Sequence, residues 1–140
     1  MPPRIVIDTN VVVSAIRSRR GASFRLLSDV GRGRFDVVIS VPLVLEYESA
    51  LYERKPDNVS DDDVETLLDY LCAAAHQQQI FYRWRPGLRD PKDDMVLEVA
   101  VAGRCRTIVT YNVRDFAGVQ QFGIRAVTPF QFLQEIEVVS

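Results

Sequence analysis

Asp8 ends a short apolar run, Ile5-Val6-Ile7, and is followed at once by Thr9 and Asn10. Other acids stand in comparable places. Glu46 lies one turn into a helix that follows a second apolar run, after Ser40, and Asp93 and Asp94 open a later helical segment. Thr110, Asn112 and Asp115 follow the run Thr107-Ile108-Val109. Carboxylates packed a few ångströms apart repel one another, so they either share protons or recruit a cation. Oxygen donors with no histidine or cysteine among them select Mg2+ or Mn2+ over Zn2+ or Cu2+. Such an ion suits phosphoryl chemistry, because it activates a water and neutralises charge on the attacked phosphate. No Ser–His pairing, P-loop or glycine-rich dinucleotide turn competes with this reading.

Each acid also has a plain structural reading. Asp8 could cap the helix after its strand, Asp93 could cap its own helix, and Glu46 could lie on the surface. Their joint placement argues for more, because open parallel sheets bind ligands beyond the carboxyl ends of their strands. The triplet Asp61-Asp62-Asp63 is different. Ser60 with Asp63 makes a capping box, and carboxylates in a first helical turn are what the helix dipole favours. His76, the only histidine, lies far from these turns in sequence and is expected on a helix surface.

The elements that must position these residues can be read from periodicity. Arg4–Ile7 is a buried strand. Val11, Val12, Ala15 and Ile16 suit a helix packed on it. Phe24, Leu26, Leu27 and Val30 mark a second short helix, ended by Gly31 and Gly33. Residues 36–40 form a second strand, and Pro42 starts a helix whose buried stripe is Leu43, Tyr47, Ala50 and Leu51. Val64, Leu67, Leu68, Leu71 and Ala75 follow helical spacing. Ile80-Phe81-Tyr82 reads as a short edge strand. Val96, Val99, Ala100 and Gly103 are again helically spaced. Residues 107–110 and 125–127 are strands, with a polar turn or short helix at 112–116, and Pro129 to Ile136 is a closing helix. Strands alternating with helices predict one α/β domain over residues 1–140, an α/β/α sandwich around a central, mostly parallel sheet.

Composition narrows the class further. The 140 residues suit one domain, and 47% apolar with 26% charged residues is ordinary for a packed core. No apolar run reaches the roughly 18 residues of a membrane span, and no secretory leader is expected. Cys72 and Cys105 are isolated, as expected of reduced thiols in a cytoplasmic protein. The net charge of −2 lacks the basic excess of a nonspecific nucleic-acid binder. The cations are nevertheless clustered: Arg17, Arg19, Arg20, Arg25, Arg32 and Arg34 share a stretch in which Asp29 is the lone acid. A second group, Arg83, Arg85 and Arg89, is interleaved with Tyr82 and Trp84. Arginine matches phosphate geometry, although both clusters also suit solvated faces.

Four segments carry a family resemblance. Ile7-Asp8-Thr9-Asn10-Val11, residues 41–48 (VPLVLEYE), residues 90–100 (DPKDDMVLEVA) and residues 108–116 (IVTYNVRDF) resemble, in order and end to end, the successive motifs of PIN-domain proteins. The nearest likeness is to the VapC-like toxins of toxin–antitoxin systems. The resemblance implies a flap-endonuclease-like sheet and a Mg2+- or Mn2+-dependent ribonuclease. It implies metal ligation by Asp8, Glu46 and Asp93, with Asp94 as the alternative to Asp93. Thr9 and Asn10 would support Asp8 by hydrogen bonding, and Thr110 belongs to the same rim. Many relatives carry Asp where Asn112 stands, and here Asp115 follows three residues later. A PIN-fold module that binds RNA or an antitoxin without cutting is the second reading. The resemblance also implies an antitoxin that covers the site, and a homodimer. A haloacid-dehalogenase-type phosphatase would need Asp where Asn10 stands.

Overall fold

The computed structural model describes residues 2–80 and 90–139. Among the described residues five strands form one sheet: β1 (Arg4–Ile7), β2 (Asp36–Ile39), β3 (His76–Gln77), β4 (Thr107–Val109) and β5 (Arg125–Val127). Their order is β3-β2-β1-β4-β5, and every neighbouring pair is parallel. The expected parallel α/β/α architecture is therefore the one found. The described helices are α1 (Thr9–Arg17), α2 (Ala22–Ser28), α3 (Val41–Arg54), α4 (Asp61–Ala74), α5 (Pro91–Ala102) and α6 (Pro129–Val139).

This order has a functional consequence. The chain builds β2 and β3 to one side of β1 and then crosses to build β4 and β5 on the other. The winding thus reverses between β1 and β4, and that switch point is where open parallel sheets leave a crevice at their carboxyl ends. Asp8 follows β1 and Thr110 follows β4, so both stand at its mouth.

Burial sets the conformation of α1 against local preference. Val11, Val12 and Val13 are β-branched and cost up to about 0.7 kcal/mol each in a helix. All three are buried, and burying a valine is worth roughly 1.5 kcal/mol or more. The packing term wins. At α4 local signals and fold agree: the Ser60 hydroxyl accepts from Asp63 N–H at 3.0 Å, and the Asp63 carboxylate accepts from Ser60 N–H at 2.9 Å. Those bonds hold the Asp63 carboxyl below its ordinary value.

One expectation lies mostly outside the described residues, and another needs correction. The described edge strand is His76–Gln77, paired with Val38 and Ile39, earlier than the 80–82 segment. Of that segment Ile80 is outside any strand, and Phe81 and Tyr82, like Arg83, Trp84, Arg85 and Arg89, lie outside the described residues. His76 is exposed as expected, but on this strand and not on a helix, because α4 ends at Ala74. The hydrophobic period of α4 runs smoothly into Ala75, and only the pairing with β2 ends the helix.

The end of α5 is a Schellman motif: Cys105 N–H donates to Ala100 O at 2.8 Å and Arg104 N–H to Val101 O at 3.2 Å. The left-handed position of such a motif usually carries glycine, but here it is Arg104, at φ 56°. The glycine sits one residue earlier for a different reason. A Cβ on Gly103 would meet Val38 Cγ1 at 2.8 Å and Val99 O at 3.0 Å, so the helix end can lie on β2 only without one. Arg104→Gly is expected to raise stability by roughly 0.5–1 kcal/mol, the strain relieved less the added freedom of the unfolded chain. Thermal denaturation reads this as about 2–4 °C.

Candidate active site

Asp8 is the pivot. It is 6% exposed, and both of its oxygens are engaged. Oδ1 accepts from Thr9 N–H at 2.8 Å, which caps α1, and Oδ2 accepts from the Thr110 hydroxyl at 2.7 Å, which reaches across from β4. Thr110 Oγ1 in turn accepts from Asn112 N–H at 2.9 Å, so one buried hydroxyl ties the turn after β4 to the turn after β1. Burial raises the Asp8 carboxyl above its ordinary value; the Thr110 and Thr9 bonds oppose this, and the charges of Asp115 and Asp90 add to it.

Tyr47 secures the other side. It is 1% exposed on α3, and its hydroxyl donates to Ile7 O, the carbonyl just before Asp8. Burial, with the charge of Asp8 added, lifts this phenol well above its ordinary range, so it remains a donor. The sequence marked Tyr47 only as part of a buried stripe. A signal was present, since a buried tyrosine hydroxyl must find a partner.

α5 brings in the second acid. Asp90 caps it, accepting from Lys92 N–H at 2.9 Å, and Pro91 occupies the first turn, where its missing N–H costs nothing. Asp93 is partly exposed in that turn, whereas Asp94 is buried. The Asp93 carboxyl is pushed up to about 7, by desolvation first and then by the charges of Asp8, Asp90, Asp115 and Asp94. Asp8, Asp90, Asp93 and Asp115 therefore share one electrostatic environment. Asp90 is a member of that group to which the sequence, with only the family-like segment 90–100 to go on, assigned no role.

The remaining candidates divide. Glu46, on α3, is largely covered and pairs with Lys92 Nζ of α5 at 3.4 Å. Asn112 and Asp115 are exposed on the 3-10 turn region after β4, and Asp115 supplies the charge there that Asn112 lacks. Asn10 Oδ1 accepts from Tyr111 N–H in a long contact of 3.5 Å. Ser40 is buried and caps α3 through a 3.2 Å bond from Leu43 N–H.

The donor set is all oxygen and mutually repulsive, which fits a hard divalent cation. Among the described residues, no three Asp, Glu, His or Cys side chains are already gathered into a cage for one. The fit is thus in donor chemistry and charge, with the carboxylates held apart by their own bonds and by Lys92.

Residues 4–114 match the family model for the PIN domain. The chain belongs to the PIN-domain family. PIN domains are generally nucleases and typically use divalent metal ions. The matched span reaches from the start of β1 to the turn after β4, and so includes Asp8, Glu46, Asp93 and Thr110. No curated protein sequence matches the chain. Among solved structures, this PIN domain is similar in fold to a chain of VapBC2 from Rickettsia felis bound to a DNA fragment from its promoter. The TM-score is 0.61 at 14% identity, over 88% of this chain and 96% of that one. No described helix of this PIN domain is long and apolar enough to cross a membrane.

Proposed function

We propose that residues 1–140 act as one PIN domain, a Mg2+- or Mn2+-dependent endoribonuclease that serves as the toxin of a toxin–antitoxin pair in the cytoplasm. One observation carries the nuclease reading: a buried aspartate at the sheet's switch point, coupled by charge to Asp93, whose carboxyl is pushed up to about 7. Carboxyls raised first by burial and then by one another's charge are groups whose charged form a cation would stabilise. Asp8, Glu46 and Asp93 would hold it, with Asp93 preferred over the buried Asp94. When bound, the ion supplies an activated water and offsets charge on the phosphate. The chain's own groups orient this centre. Thr110 and the Thr9 N–H fix the two oxygens of Asp8, Tyr47 fixes the carbonyl behind it, and Asp115 adds negative charge at the rim. The antitoxin partner is supported by the likeness in fold to VapBC2, and a homodimer by the family resemblance.

Incubating the protein with a structured RNA is expected to give internal cuts in millimolar Mg2+ or Mn2+ and none in EDTA. Cutting that persists in EDTA would exclude the metal reading. Two observations favour a second reading, a binding module that does not cut: Asn112 in place of the expected acid, and the absence of a gathered cage among the described residues. No cutting, together with no saturable Mn2+ binding, would select it.

A further inference from the structure

Two large rings stand exposed where β4 and β5 end, beside the carboxylate site. Tyr111 directly follows Thr110, the residue that bonds Asp8, and is 44% exposed. Phe130 lies in the first turn of α6, just beyond β5, and is 60% exposed. The strands behind them are joined residue by residue: Val109 pairs with Val127, and Thr110 N–H donates to Val127 O at 2.8 Å. Both rings therefore leave the same rim from neighbouring strand ends.

Tyr111 is tethered through its side chain, and Phe130 is carried on a capped helix start. The Tyr111 hydroxyl is 2.6 Å from Ser23 Oγ of α2, a side chain only 1% exposed, and α2 packs against α6. Phe130 is carried by a helix whose start is fixed reciprocally: Thr128 Oγ1 accepts from Gln131 N–H at 3.2 Å and Gln131 Oε1 accepts from Thr128 N–H at 3.0 Å. A ring tethered as Tyr111 is, yet open to water, lowers the ordering cost for whatever stacks on it, and Phe130 is presented from a fixed helix start beside it in the sheet order. Exposed Arg114, on the turn after Tyr111, adds a cation suited to phosphate at the same edge.

We propose that Tyr111 and Phe130 form a stacking platform for unpaired nucleotides flanking the scissile phosphate, with Arg114 on the backbone. This rests on the nuclease reading above, and it assigns Tyr111 and Phe130 as the groups that hold the bases beside the scissile phosphate. Every base has a π-face, so such a platform is tolerant of sequence. It needs bases that are not stacked in a helix, so it disfavours duplex RNA.

The test separates binding from cutting. Fluorescence anisotropy in EDTA follows a short labelled oligoadenylate, against the same strand annealed into a duplex. Wild type is expected to prefer the single strand. Phe130→Leu, which keeps apolar bulk but no ring, and Tyr111→Leu are each expected to weaken binding about tenfold or more, and Phe130→Trp to preserve it. Both positions are exposed, and circular dichroism checks that each variant folds. Equal affinity in wild type and the leucine variants would overturn the proposal. So would a change of oligomeric state, read by light scattering in Phe130→Leu with nucleotide affinity untouched, which makes the ring a protein contact. Failure of the nuclease reading is seen separately, as ring-dependent binding without metal-dependent cutting.

Discussion

Asp8→Asn is expected to abolish RNA cleavage while leaving the protein as stable as wild type or more so. The loss follows from charge. Asparagine keeps the shape and one acceptor oxygen but cannot supply the negative charge that a divalent cation requires. A metal centre contributes several kcal/mol of charge stabilisation in the transition state, and about 1.4 kcal/mol is tenfold in rate, so the fall is on the order of a thousandfold. The gain or neutrality in stability follows from the same position. Asp8 is a buried carboxylate raised by desolvation and by the charges of Asp115 and Asp90, so removing its charge removes a cost. The cap on α1 survives, because asparagine caps as well as aspartate. With the amide oxygen kept on Thr9 N–H, the amide NH2 faces Thr110, whose hydroxyl oxygen can accept from it. A gel-based cleavage assay beside a thermal melt checks both halves. Wild-type cutting by the variant would remove Asp8 from the mechanism. Lost cutting with a collapsed melting temperature would make it a structural residue.

Without added metal, stability is expected to fall as pH rises from about 5 to above 7, and millimolar Mn2+ is expected to reverse that trend. The sign follows from Asp93. Its carboxyl has an ordinary value of 3.8 and is pushed up to about 7 in the folded chain. Between those values the folded state holds a proton that the unfolded state has lost. Stability therefore declines with rising pH across that window and levels off above it. Asp8 is raised in the same direction. Asp93 is partly exposed, so solvent screening leaves the effect well below that of a fully buried carboxylate. Asp63 and Glu135 are shifted the opposite way, and their contribution is lost only as pH falls into the acid range, below the window that matters here. A cation that binds the deprotonated cluster adds stability by mass action, and more so as protons leave. Cleavage should rise across the same interval. Melting curves from pH 5 to 8, with and without Mn2+, read the effect, and Asp93→Asn should flatten both series. A metal-free curve that climbs steadily through pH 7 would contradict the assigned coupling.

The sequence by itself determined the family, the parallel α/β/α architecture and the rim on which the acids stand. The physical reason is that these features are written in local terms. Short β-branched runs alternate with helical periods, Ser60 and Asp63 form a cap, and Asp-Pro opens α5. Ser40 and Pro42 could likewise be read as the start of α3. The boundary at α4 could not be read this way, because the helical pattern continues through Ala75 and pairing with β2 decides where the helix stops. Nor could Arg104, whose left-handed backbone exists because Gly103 is consumed by its approach to Val38.

The site shows the same division. That Asp8, Glu46, Asp93 and Asp115 are acids near strand ends or helix starts was legible. Which of them feel one another was not, because it depends on the reversal of strand order that sets β4 beside β1. Only the tertiary structure put the Thr110 hydroxyl on Asp8 across 102 positions of sequence, and Tyr47 on the carbonyl behind it. Only it gave Glu46 to Lys92 and divided Asp93, partly exposed, from its buried neighbour Asp94. Charge and hydrogen-bonding capacity belong to residue types and can be read in sequence; distance and burial come only from packing.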